Sequence, residues 1–119
     1  MLTQQSVIET ARKFVFEISN SGIGLRKAIL YGSFAKNQQH EYSDIDICLV
    51  GDDFSGFGYE DLKPLGRIYG KGEYLWIQAR TWSTADYLSG NAFVEEEIDP
   101  VGIVLFDNLT EQKNQALAA

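Results

Sequence analysis

Basic residues are scarce in this chain: ten lysines and arginines against seventeen aspartates and glutamates, for a net charge of −7. That balance argues against broad, sequence-independent binding to duplex nucleic acid, which rests on basic patches. No apolar run approaches the roughly 20 residues that a membrane-spanning helix needs. The N-terminal stretch MLTQQSVIETARKF lacks the charged-then-apolar order of a secretory leader. A lone cysteine, Cys48, excludes an internal disulfide and fits a reducing, cytoplasmic setting. A lone histidine, His40, has no second soft ligand nearby, so a zinc site is not expected. Internal repeats and long linkers are also missing. What remains is 119 residues, 45% hydrophobic, expected to form one domain over 1–119 with a core that needs no covalent staples.

The most informative stretch runs from Tyr31 to Val50. An apolar run, Ala28-Ile29-Leu30-Tyr31, ends at the pair Gly32-Ser33; after ten intervening residues comes Asp44-Ile45-Asp46, leading into Ile47-Cys48-Leu49-Val50. This reads as a strand, a tight glycine turn, a polar connector and a second strand that begins with two acids. Side chains alternate along a strand, so Asp44 and Asp46 share one face with Cys48, and Ile45, Ile47 and Leu49 point the other way, toward packed helices. Two carboxylates one repeat apart repel at neutral pH and need a cation between them or a proton on one. Oxygen-only ligands suit Mg²⁺ or Mn²⁺, which take one or two protein carboxylates and complete their shell with phosphate oxygens and water. Glycine at the turn lets backbone approach a phosphate closely.

The pattern Gly32-Ser33, ten residues, Asp44-x-Asp46, flanked by hydrophobic strands, resembles the signature of the DNA polymerase β-like nucleotidyltransferases, and within them the minimal nucleotidyltransferase branch. The resemblance implies an α+β, two-layer fold: a small mixed sheet with helices packed mainly on one face. It implies Asp44 and Asp46 as catalytic, metal-holding residues and Gly32, Ser33, Lys36 and Ser43 as nucleotide contacts, with Ser43 alternatively a simple brace for the turn and Lys36 a surface lysine. It implies Mg²⁺ or Mn²⁺ as cofactor, ATP as substrate, and transfer of AMP to a hydroxyl. In the minimal branch the acceptor is often an all-helical HEPN-type partner protein, with the nucleotidyltransferase as antitoxin. A chain this small is expected to work as a homodimer or hetero-oligomer. One local departure is Asn37, where relatives usually carry glycine; asparagine tolerates left-handed backbone better than most residues.

Elsewhere, Gln5 to Ile18 reads as an amphipathic helix capped by Thr3, with Val7, Ile8, Ala11, Phe14, Val15 and Ile18 on one side. The segment from Gly51 to Gly58 is a loop whose phenylalanines either pin it to the core or lie near a base. A helix over Tyr59 to Tyr69, with Leu62, Leu65, Ile68 and Tyr69 inward, is expected to start as late as Lys63-Pro64, because Pro64 lacks an N–H. Further helices are expected from Ser83 to Leu88 and from Ala92 to Ile98, then a strand from Gly102 to Asp107; Asn108 to Ala119 reads as frayed helix or tail.

Glu73 to Thr81 reads as the third strand, with Leu75, Ile77 and Ala79 as its core set and Trp76, Gln78 and Arg80 opposite. In active members of the resembled family this strand supplies a third carboxylate. Here the matching residue is Gln78, or else Trp76, and neither ligates a metal as a carboxylate does. Two functions are therefore expected to compete: a metal-dependent transferase, and a binding module that keeps the fold and acts on its partner by contact. A carboxylate from Glu73, Glu60 or Asp61 beside Asp46 would favour the first.

Overall fold

The computed structural model describes residues 3–40, 43–56 and 58–109. The expected base-side or core role of Phe57 and the frayed helix or tail beyond residue 109 lie outside them. Helix α1 (Gln4–Ser19) starts where Thr3 caps it. The Thr3 hydroxyl accepts the Ser6 N–H and the Ser6 hydroxyl accepts the Thr3 N–H, both at 3.1 Å. This reciprocal pair satisfies two donors that a helix start leaves free. Val7, Ala11, Phe14, Val15 and Ile18 are all buried, as their three- and four-residue spacing requires.

Among the described residues four strands follow: β1 (Leu25–Tyr31), β2 (Ile45–Gly51), β3 (Ile77–Ser83) and β4 (Ile103–Asp107), ordered β3-β2-β1-β4 in one sheet. β1 runs antiparallel to β2 and β4, while β2 and β3 are parallel. A parallel pair needs a crossover, which contains α3 (Gly58–Tyr69). Burial separates the two faces. Ala28, Leu30, Ile45, Ile47, Leu49 and Ile77 join one core with α1, with Leu65 and Ile68 of α3, and with Phe34 of the short helix α2 (Gly32–Ala35). Ile29, Cys48, Val50 and Trp82 join another with Val94 and Ile98 of α5 (Val94–Ile98, wound as a π-helix). The two longest helices thus share one face. The other carries α5 and contacts from Tyr87 of α4 (Thr84–Leu88), whose cap is Ser83 accepting the Asp86 N–H at 3.1 Å.

Three expectations are corrected. β3 begins at Ile77, not Glu73, because residues 71–76 form turns that drive Tyr74 into the core. Tyr74 is 1% exposed with its ring centroid 5.2 Å from that of Phe14, whereas Leu75 and Trp76 are 72% and 60% exposed. Leu62 is likewise exposed, leaving Leu65, Ile68 and the half-buried Tyr69, whose ring lies 5.5 Å from that of Phe14, as the inward residues of α3. Finally, α3 begins at Gly58 and runs through Pro64. Its first turn is held by the buried carboxylate of Asp61, which accepts the N–H groups of Ser55 at 2.8 Å and Gly56 at 3.0 Å. That anchor offsets the single hydrogen bond Pro64 cannot make.

Tyr74→Ala should therefore cost about 3–5 kcal/mol in urea denaturation, as for other buried aromatics, while Leu75→Ala should stay within about 0.5 kcal/mol. Equal losses would mean that Leu75, not Tyr74, is in the core.

Candidate functional site

The site forms where β1 ends. Gly32 has φ +74°, a conformation that glycine enters freely. The turn is then closed at the other end of α2. The Gln38 N–H donates to the Ser33 carbonyl at 2.8 Å and the Asn37 N–H to the Phe34 carbonyl at 3.2 Å, with Asn37 itself at φ +55°. This is a Schellman-type stop, with asparagine in the left-handed position that glycine usually fills. Gln4 adds a clamp absent from the sequence reading: its side-chain amide donates to the carbonyls of Phe34 and Ala35 at 3.0 and 3.3 Å. Phe34 is buried while Lys36 is exposed, so the fold holds the Gly32-Ser33 turn firmly and leaves the lysine in water.

Asp44 precedes β2 and Asp46 is its second residue; Asp44 is exposed and Asp46 half-buried. The register pairs Asp46 with Tyr31, directly before Gly32. A β-carbon built on Gly32 would lie 2.3 Å from Asp46 Oδ2, so backbone and carboxylate meet at a distance that only glycine permits. Burial, and then the charge of Asp44, hold the Asp46 carboxyl above the ordinary carboxylate range. Among the described residues neither acid has an ion-pair partner. Ser43 braces the approach: its hydroxyl accepts the His40 N–H at 2.8 Å and its own N–H donates to the His40 carbonyl at 3.0 Å.

The parallel register sets Gln78 beside Asp46 and Arg80 beside Cys48. Trp76 lies before the strand, where its carbonyl accepts the Ile45 N–H at 2.9 Å. No other acid among the expected candidates completes the pair. Glu73 is bound to Lys13 at 2.6 Å. Asp61 accepts hydrogen bonds from Ser55, Gly56 and Thr81. Burial pushes its carboxyl up, but those bonds outweigh burial and hold it below its usual range. Glu60 is exposed on α3. Among the described residues no group of three metal-ligating side chains occurs. The donor set is thus two hard oxygen ligands without a counter-charge. It fits a divalent cation of the Mg²⁺ type whose remaining ligands are phosphate oxygens and water.

Aromatic residues line the same face behind the acids. Phe93 meets Tyr31 edge-on at 5.9 Å and stacks on Trp82 at 5.8 Å. The Tyr31 hydroxyl is pushed up to about 12 by burial and the nearby Asp46 charge, with Arg80 pulling it back. Burial raises the Cys48 thiol to about 12, which keeps it protonated and unreactive at neutral pH.

This sheet, with its glycine turn and acid pair on adjacent antiparallel strands, defines a protein of the nucleotidyltransferase fold. The chain belongs to the nucleotidyltransferase domain family, which it matches over residues 8–105. A curated relative, the "Putative protein adenylyltransferase MJ1547" of Methanocaldococcus jannaschii, is 54% identical over 41 residues, covering 34% of this chain and 33% of that protein. The chain thus matches about a third of that relative's length. Among solved structures, a "putative nucleotidyltransferase" from Sulfolobus solfataricus superposes with a TM-score of 0.62 at 15% identity, covering 88% of this chain and 84% of that one. A chain of the complex between tri-AMPylated Shewanella oneidensis HEPN toxin and MNT antitoxin superposes with a TM-score of 0.55 at 12% identity, covering 93% and 82%. These structural likenesses establish the fold.

Two consequences are measurable. Gly32→Ala should lose about 1–3 kcal/mol of stability, since it adds left-handed strain to a contact with Asp46; an unchanged urea midpoint would mean that the turn relaxes freely. Asp46→Asn should melt higher than the native chain at pH 7 in metal-free buffer. The sign follows from the raised carboxyl: the folded state holds its proton more tightly than the unfolded one, so native stability falls as pH rises through the interval between the two values. The advantage of the variant should therefore shrink as pH drops into the ordinary carboxylate range and below, and a gain independent of pH would remove the electrostatic explanation.

Proposed function

We propose that this protein transfers AMP from ATP to a hydroxyl acceptor, with Asp44 and Asp46 as the catalytic, metal-holding pair. The observation that carries this reading is the unneutralised acid pair, of which Asp46 lies against the Gly32 backbone. Two such carboxylates are unfavourable in the empty protein and become favourable around a cation. A bound Mg²⁺ or Mn²⁺ supplies charge neutralisation at the α-phosphoryl group and the departing pyrophosphate. The chain's own residues do the rest. Gly32 and Ser33 receive the nucleotide phosphates, with Lys36 within the same turn and Ser43 keeping Asp44 in position. The acceptor oxygen forms a bond to the α-phosphorus as the bond to the β-phosphate bridge breaks; pyrophosphate leaves and the acceptor proton passes to solvent or to an acid of the site.

The acceptor is proposed to reside on a second protein, of the helical HEPN type present in the solved complex. The acidic surface favours a protein partner over duplex nucleic acid, and a hetero-oligomer or dimer is the expected working state. A reducing cytoplasm is the proposed setting, consistent with the buried Cys48 thiol. A second reading is supported by the register itself: with Gln78 beside Asp46 and Asp61 and Glu73 engaged elsewhere, the fold serves as a contact antitoxin that covers its partner without turnover.

The deciding assay incubates the chain with α-labelled ATP and Mg²⁺ or Mn²⁺, with and without a HEPN-type partner encoded beside it. The expected result is label on the partner or on the chain itself, absent in an Asp44→Asn/Asp46→Asn double variant and increased about tenfold or more in Gln78→Glu, which restores a third carboxylate. Partner binding that is unchanged in the double variant, with no label transferred by any form, would establish the contact reading instead.

A further inference from the structure

We propose that Arg80 is a phosphate-binding residue of this site, its guanidinium receiving the triphosphate of the nucleotide. The inference rests on the nucleotidyl-transfer reading and adds to it a residue that lies outside the glycine-turn and acid motif.

Three observations carry it. The sheet register places the residues in rows: Tyr31, Asp46 and Gln78 form one row, and Ile29, Cys48 and Arg80 form the next, on the same face. Arg80 therefore sits one strand repeat behind the acid pair. Second, its guanidinium is held without being neutralised. The carbon Cζ lies 4.1 Å from the centroid of the Phe93 ring and 5.7 Å from that of Trp82, and no carboxylate among the described residues forms an ion pair with it. Aromatic stacking fixes the plane of a guanidinium; one part of the Arg80 fork donates to the Tyr31 hydroxyl, in the row of Asp46, and the rest is left for a ligand. Third, Arg80 stays exposed at the free edge of β3; the cleft it lines there with Trp82, Asp86 and Asn91 contains neither acid nor the glycine turn, so it borders the site rather than enclosing it.

The chemistry selects the ligand. An oriented guanidinium with no carboxylate partner among the described residues, on the same face as the acid pair, recruits a group that carries an anion for the arginine and a metal for the acids. A metal-bound triphosphate is such a group, and arginine bonds phosphate oxygens in a bidentate manner. Gln78 strengthens the need: without a third acid to hold further metal, the triphosphate charge beside Asp44 and Asp46 is less fully offset, and a fixed cation on the same face supplies part of the difference.

The test is equilibrium binding to the full chain of Mg²⁺ with a non-hydrolysable ATP analogue, beside AMP as comparator. Arg80→Gln is expected to weaken the analogue by about 10- to 100-fold, the loss of charge-assisted hydrogen bonds, and to leave AMP and the unfolding midpoint nearly unchanged. Arg80→Lys should recover only part of the loss, because it keeps the charge but not the fork. Phe93→Leu, which removes the stacking face and leaves Arg80 intact, should weaken the analogue by severalfold and spare AMP, so the proposal does not depend on the folding of one variant. Analogue binding unchanged in Arg80→Gln but lost in the Asp44→Asn/Asp46→Asn variant overturns the role of Arg80 and leaves the transferase reading intact. Equal loss of analogue and AMP also overturns it, since Arg80 would then only shape the site. Failure of the native chain to bind the analogue removes both.

Discussion

The contact between the Asp46 carboxylate and the Gly32 backbone governs the arrangement around it. It brings a half-buried negative charge against a turn where no side chain fits, and Asp44 adds a second charge one strand repeat away. Such a pair is unfavourable by itself. It persists because structure on all sides over-determines it. β1 pairs with β2 so that Tyr31 stands opposite Asp46, the Asn37 stop closes α2, Gln4 clamps the far end of that helix, and Ser43 fixes the approach to Asp44. A cation between the two carboxylates would relieve that repulsion.

The other acids illustrate the opposite solution. Asp61 is more deeply buried than Asp46, yet its hydrogen bonds lower its carboxyl instead of leaving it raised. The difference lies in partners. Asp61 receives two backbone N–H groups and the hydroxyls of Ser55 and Thr81, and so joins the loop after β2 to α3 and β3. Glu73 is neutralised by Lys13 at the surface. Acids with an architectural role are satisfied within the chain, whereas the pair at the head of β2 has no ion-pair partner among the described residues. Arg80 is the cationic counterpart: held in place by aromatic faces, with no carboxylate ion pair among the described residues.

Much of this was legible because it is local. Alternation along β2 assigns Ile45, Ile47 and Leu49 to one core and Asp46 and Cys48 to the other face, as the separation of the two clusters bears out. The spacing of Val7, Ala11, Phe14, Val15 and Ile18 marks the buried stripe of α1, the cap at Thr3 marks its start, and the tolerance of asparagine for left-handed backbone accounts for Asn37. Other features depend on partners distant in the chain. Leu75 and Tyr74 are adjacent and both apolar in character, and only the approach of Phe14 decides that the tyrosine enters the core. Pro64 argues for a late helix start, and only the grip of Asp61 on the preceding loop permits an early one. The sequence by itself determined the glycine turn, the paired acids and the strands that carry them, since each is set by neighbours within a few residues. The tertiary structure alone decided that Gln78 stands beside Asp46, that Asp61 and Glu73 are engaged elsewhere, and that Arg80 shares the acid face, because strand register and cross-sheet packing are fixed by contacts between segments that the chain order keeps apart.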